Sequence, residues 1–143
     1  DAGPDALARL ASVQARLLGA SDAERASAAE SVARVLAHPR LVRARAAQVE
    51  GRLFRRELPL VLTVDGVVVD GQADLVWDDG DGLVVIDYKT DVDLSPGEPS
   101  YRRQVGLYAD ALTKAYGRGV DAVVVGVIVI AGQSRRPKSI VFS

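Results

Sequence analysis

The chain has 143 residues, of which 48% are hydrophobic and 26% charged, and its net charge is −1. That length suits one domain with its own core, and the balance is ordinary for a folded globular protein. With no cysteine it can hold neither disulfides nor thiolate metal sites, and its charge carries no global signal for a nucleic-acid partner.

Residues 4–19 read as a helix. Pro4 suits a first turn, Leu7, Leu10, Val13, Leu17 and Leu18 recur at helical spacing, and Gly19 ends it. Ser21 or Asp22 caps a second helix with Glu24 in its first turn. This helix runs to about Ala37 with Ala29, Val32, Val35 and Leu36 on one face, and His38-Pro39 breaks it. A third, from Pro39 to Gln48, turns Leu41, Val42 and Ala46 inward.

The pattern then changes period. Leu53 to Val64 reads as a strand that Pro59 assigns to an edge or a bulge, Asp65-Gly66 as a hairpin turn, and Val67 to Trp77 as the return strand. After a turn at Asp78-Asp79-Gly80-Asp81-Gly82, Leu83 to Thr90 is apolar on both faces, as a central strand is. Asp91 to Pro99 is a loop. Tyr101 to Tyr116 is a helix with Val105, Tyr108, Ala109 and Leu112 on one stripe. Val120 to Ile130 is a buried strand, Gly132 to Lys138 a polar turn and Ser139 to Ser143 a last strand. The expected fold is α/β, a mixed central sheet flanked by helices in the order ααα-βββ-α-ββ. We expect one domain over residues 1–143, with a helical part at 1–49 and a sheet core at 50–143 that includes helix 101–116.

Acidic residues interrupt two of the apolar runs: Asp74 in Gly71-Gln72-Ala73-Asp74-Leu75-Val76 and Asp87 in Val84-Val85-Ile86-Asp87-Tyr88-Lys89-Thr90. Burying a carboxylate beside another carboxylate and an ammonium is costly unless a cation or a reaction uses them. Asp87 and Lys89 are two apart and so share a strand face, and Asp74 lies on the preceding strand, where cross-strand neighbours approach to about 5 Å. Phosphodiester hydrolysis needs a positioned water and relief of phosphate charge, which Mg²⁺ or Mn²⁺ on oxygen ligands supplies. Asp74, Asp87 and the Tyr88 carbonyl offer such oxygens, and Lys89 would orient the water or stabilise transition-state charge. The alternative is a buried salt bridge of Lys89 with either acid.

The ordered set Gly71-x-x-Asp74, Asp87-x-Lys89 and Gln104-x-x-x-Tyr108 resembles the PD-(D/E)XK nuclease superfamily. It is similar in particular to the C-terminal nuclease domain of RecB/AddA-type, UvrD-like helicase-nucleases. Arg56-Glu57-Leu58-Pro59, Asp87-Tyr88-Lys89-Thr90-Asp91 and Tyr101-Arg102-Arg103-Gln104-Val105-Gly106-Leu107-Tyr108 carry the narrower likeness, over about Leu36 to Ile130. The resemblance implies a restriction-endonuclease-like fold, Asp74 and Asp87 as metal ligands, Lys89 as catalytic, and Gln104 and Tyr108 as a helix face supporting the active site and the DNA. It also implies an exonuclease V-like deoxyribonuclease. This would be part of an ATP-dependent helicase-nuclease that processes double-strand ends in recombinational repair. The partners so implied are DNA, a helicase domain in the same parent chain and a partner subunit.

That family carries an earlier Gly-Thr-x-x-His-like helix whose histidine is a further ligand. The sole histidine here is His38, before a proline, which reads as a helix-end residue first and a metal ligand second. No Met occurs, and the chain opens Asp1-Ala2-Gly3-Pro4. We therefore expect a piece of a longer polypeptide with the His-bearing helix upstream, on which the activity of this piece would depend. Glu57 could face the site or pair with Arg56 or Arg52. Asp91 and Asp93 read as loop acids and Trp77 as sheet packing.

The basic groups Arg40–Arg56, Arg102-Arg103 and Arg135–Lys138 around an acidic centre suit either a DNA-facing rim or a solvated surface. No apolar run is long enough to span a bilayer and no leader pattern opens the chain, so we expect a cytoplasmic protein with no membrane partner. No Walker motif occurs, which places any ATPase elsewhere in the parent chain. The other readings are a catalytically inactive DNA-binding or assembly module of the same fold, and a stand-alone restriction-type endonuclease.

Overall fold

The computed structural model describes residues 4–89, 98–126 and 139–141. Its elements are α1 (Pro4–Leu17), α2 (Asp22–Leu36), α3 (Pro39–Val49), β1 (Phe54–Val64), β2 (Val67–Asp78), β3 (Leu83–Lys89), α4 (Glu98–Tyr116), β4 (Val120–Gly126) and β5 (Ser139–Val141). This is the ααα-βββ-α-ββ order read from the sequence. The sheet order is β1-β2-β3-β4-β5, antiparallel throughout except for the parallel β3/β4 pair. A parallel pair needs a crossover, and α4 supplies it.

Local chemistry fixes the boundaries. Ser21 and Glu24 form a reciprocal capping box at the start of α2. His38 caps α3, its Nδ1 accepting from the Arg40 N–H at 3.3 Å, and Pro39 occupies the first turn. Asp65 and Gly66 both have positive φ, the conformation that a tight hairpin between two twisted strands requires. β1 is an edge strand, which tolerates Pro59.

Two apolar clusters cover the sheet. On one face, Leu75, Trp77, Val84 and Ile86 pack under Ala44 and Ala47 of α3. On the other, Leu60, Ala73, Val76, Leu83 and Val85 pack under Tyr108 and Leu112 of α4. β3 is third of five strands and buried from Leu83 to Asp87, which explains its apolar character on both faces. Trp77 is fully buried and satisfies its indole N–H on Asp79 Oδ1.

One face and one boundary differ from expectation. α3 buries Ala44 and Ala47, with Leu41 alongside, and Val42 is exposed. The smaller side chains let the helix lie close over Trp77. α4 begins at Glu98, because Pro99 is at home in a first turn and does not end the preceding loop. β4 is described to Gly126; the rest of the expected strand, the turn at 132–138 with Arg135, Arg136 and Lys138, and Thr90, Asp91 and Asp93 lie outside the described residues. Among the described residues, no helix is long and apolar enough to cross a membrane.

A polar clamp joins the β2–β3 turn to the end of α4. Arg118 donates to both carboxylate oxygens of Asp78, at 2.6 and 3.0 Å, and to the Gly80 carbonyl. The Arg118 guanidinium, helped by the Gly80 N–H, holds the Asp78 carboxyl down at about 2. The folded value lies below that of an unfolded Asp, so this contribution is complete above about pH 4 and is lost as the pH falls towards 2. The acid limb of a urea-midpoint profile is therefore expected to flatten in Arg118→Ala. In the core, Leu112→Ala should cost about 2–5 kcal/mol in urea unfolding at pH 7, since a fully buried leucine leaves a cavity beneath α4.

Candidate active site

Strand alternation places the polar groups. Leu83, Val85, Asp87 and Lys89 follow one another along the α4 side of β3, and Val84, Ile86 and Tyr88 along the α3 side. The β2/β3 ladder runs from Asp78↔Leu83 to Leu75↔Ile86. The next rung would oppose Asp74 to Asp87, and there the backbones stop pairing. Asp74 Oδ2 instead accepts the Tyr88 N–H at 2.6 Å, so one carboxylate oxygen takes a donor the ladder has released.

Asp87 is buried, with 5% of its side chain exposed, and its Oδ2 lies 2.7 Å from Lys89 Nζ. The Lys89 ammonium is thus its ion-pair partner. Among the described residues no donor other than Lys89 reaches this oxygen. Burial pushes the Asp87 carboxyl up, the Lys89 ammonium pulls it part of the way back, and Asp74 adds to the rise. Burial also raises the Tyr88 phenol, with Asp74 reinforcing and Arg56 opposing.

Lys89 is held from α4. Its Nζ donates to Gln104 Oε1 at 3.0 Å and stands 5.1 Å from the centre of the Tyr101 ring. Gln104 Nε2 in turn donates to the Tyr108 hydroxyl at 2.8 Å. Tyr101, Gln104 and Tyr108 recur at helical spacing, so one face of α4 reaches the site. The structure thus links Asp87, Lys89, Gln104 and Tyr108 in one chain of contacts, with Asp74 adjoining through Tyr88. Sequence reasoning assigned Tyr101 no role; its place one turn before Gln104 was the available signal.

Glu57 is exposed and lies in β1 with φ 50°. The pairings Arg56↔Leu75 and Leu58↔Ala73 flank it, and the rung between them, Glu57 with Asp74, is absent. Both strands exchange faces there. Phe54, Leu75 and Trp77 belong to the α3 cluster, whereas Leu58, Leu60 and Ala73 belong to the α4 cluster. Arg52 bonds Glu50 and the Asp78 carbonyl, and Arg56 stands over the Phe54 ring, so the considered pairing with Glu57 is not how those arginines are used. His38 spends Nδ1 on capping α3. In the basic stretch, Arg40 pairs with Asp121 and Arg43 with Asp79, which suits the surface reading of those two arginines.

Two clefts flank the site. One, of about 340 Å³ on the α3 side, is lined in part by Arg45, Gln48, Arg56, Asp74 and Tyr88. The other, of about 350 Å³ on the α4 side, includes Asp70, Ser100, Arg103, Gln104 and Tyr108. A larger cavity of about 500 Å³ between α1 and α2 is lined mainly by Leu and Ala and contains none of the candidate residues.

The donor set suits a hard divalent cation. A buried carboxylate with a second carboxylate near it matches the oxygen preference of Mg²⁺ or Mn²⁺. Among the described residues no three His, Asp or Glu side chains are grouped to share an ion.

A family model described as PD-(D/E)XK nuclease superfamily matches residues 2–139. The chain belongs to the PD-(D/E)XK nuclease superfamily. Its mixed sheet with helices on both faces is the restriction-endonuclease-like fold of that superfamily. A segment of 58 residues, 38% of this chain, is 43% identical to an ATP-dependent helicase/nuclease subunit of Desulforamulus reducens. The chain matches only 5% of that relative's length.

A buried carboxylate whose desolvation outweighs its ion pair with Lys89 should weaken the metal-free fold. Asp87→Asn is expected to raise the thermal midpoint without divalent ions at pH 7, on the order of 1 kcal/mol. Mn²⁺ should raise the midpoint of the parent protein and leave that of Asp87→Asn unchanged. Differential scanning fluorimetry with and without Mn²⁺ checks both.

Proposed function

We propose that this superfamily domain is a Mg²⁺- or Mn²⁺-dependent deoxyribonuclease module that hydrolyses DNA phosphodiesters within a larger ATP-driven helicase-nuclease processing double-strand ends. The observation that carries the reading is the Asp87 carboxylate, buried in the central strand and raised in pKa by that burial, set beside Lys89 and Asp74.

In this reading Asp74, Asp87 and the Tyr88 carbonyl hold the ion. When bound, a divalent ion lowers the pKa of a coordinated water and neutralises developing charge on the phosphate. Lys89 presents a fixed ammonium towards the reacting phosphate, which favours the charge that grows there. Gln104 and the Tyr101 ring hold that ammonium in place alongside Asp87. Arg45, Gln48 and Arg56 line the adjoining cleft and would accept the DNA backbone by charge and hydrogen bonding. The net charge of −1 suits a module whose DNA is delivered by a motor elsewhere in the polypeptide. The likeness to a helicase/nuclease protein supports that placement.

The intact protein should cut linear DNA only with Mg²⁺ or Mn²⁺. Asp87→Ala and Lys89→Ala should each lower cleavage by at least about 10²-fold. Calorimetry should show a Mn²⁺ site that Asp74→Ala abolishes. Undiminished cleavage by either active-site variant would remove the assignment, and metal-independent DNA binding without cleavage would favour the non-catalytic DNA-binding module.

A further inference from the structure

We infer that Gly71 is a positioning residue for Lys89, acting through Tyr108 and Gln104. The inference rests on the proposed nuclease role of Lys89 for its kinetic readout only.

Gly71 is in β2, opposite Leu60, and its φ is not positive, so the backbone there does not demand glycine. What demands it is room. A Cβ at Gly71 would lie 2.8 Å from Tyr108 Cε1, 3.0 Å from the hydroxyl oxygen and 3.3 Å from Cζ. The ring is rigid and buried among Leu60, Ala73, Val76 and Leu112, which limits its retreat. A single methyl therefore displaces the hydroxyl.

That hydroxyl sets the orientation of an amide. The Lys89 ammonium has donors and no acceptor, so Gln104 must turn its oxygen to Lys89 and its nitrogen the other way. The Tyr108 hydroxyl is the acceptor waiting for that nitrogen. Moving it loosens the amide, and Lys89 loses the neutral partner that balances Asp87. The α-hydrogen of Gly71, three residues before the ligand Asp74, is thus coupled to the ammonium on the next strand through α4.

The test uses Gly71→Ala, Tyr108→Phe, Gln104→Glu and the double variant Gly71→Ala/Gln104→Glu in the intact protein. A carboxylate at 104 offers Lys89 an oxygen in either orientation, so it no longer depends on Tyr108. One arm measures Lys89 acylation by an amine-reactive succinimidyl ester in metal-free protein, read by mass spectrometry. The other measures kcat and KM for linear DNA with Mg²⁺. Gly71→Ala and Tyr108→Phe should each raise Lys89 labelling severalfold and lower kcat by about tenfold, with KM changed less than about twofold. On the Gln104→Glu background, Gly71→Ala should cost less than about twofold in kcat. Wild-type labelling in both single variants, or an equal Gly71→Ala effect on both backgrounds, overturns the inference. A parent protein that does not cleave DNA sinks the nuclease reading alone, because the labelling arm requires no turnover and judges the relay by itself.

Discussion

A carboxylate at the buried end of the central strand sets the terms for its surroundings. Asp87 follows four buried aliphatic residues on β3, and its Oδ2 lies 2.7 Å from the Lys89 ammonium. Holding a charge there opposes folding, and the opposing stability comes from the layers on either side. Trp77, Val84 and Ile86 under α3, and Leu83 and Val85 under Leu112 of α4, fix β3 from both faces. A strand pinned in this way cannot rotate Asp87 out to water. The rigidity that makes the site expensive is what keeps the carboxylate beside Lys89.

Much of this was legible because the signals were local. A strand covered on both faces has to read as a continuous apolar run, so an acid inside that run stood out, as did a lysine two places later on the same face. Caps and turns were legible for the same reason: Ser21 with Glu24, Pro39 after His38, and Asp65-Gly66 state their geometry in adjacent residues. What was not legible depends on elements meeting in space. Nothing in the sequence near Asp78 announces Arg118, forty positions on, and nothing near Gly71 announces the Tyr108 ring. The inward face of α3 was misread because Val42 looks more like core than Ala44. The choice was made by the bulk of Trp77 opposite, which only small residues can approach closely.

The first two helices carry a different balance. Leu10, Val13, Leu17 and Leu18 have the spacing of a buried stripe, yet each remains more than half exposed, since α1 packs only against α2 in the described structure. Helical periodicity reports that a face is apolar and says nothing about what covers it. The sheet core does not depend on this hairpin for any member of its two main clusters.

The exchange of faces at Glu57 and Asp74 joins the fold to the chemistry. If both strands kept strict alternation, Ala73 would lie on the α3 side with Leu75, and Leu58 on that side with Phe54. Both are instead under α4. The exchange needs one residue to leave extended geometry, and Glu57 does so at φ 50°, a conformation that costs a non-glycine residue roughly 1–2 kcal/mol. Two things follow at the same rung. The Asp74 backbone withdraws from the ladder, so its carboxylate is free to take the Tyr88 N–H and stand beside Asp87. The sheet also presents Ala73, a side chain with no bulk, to the Tyr108 ring, and two residues earlier Gly71 leaves that ring the space it occupies. Strain in an edge strand thereby serves both acids and the helix that steadies the lysine, which accounts for an unfavourable glutamate conformation persisting at this position.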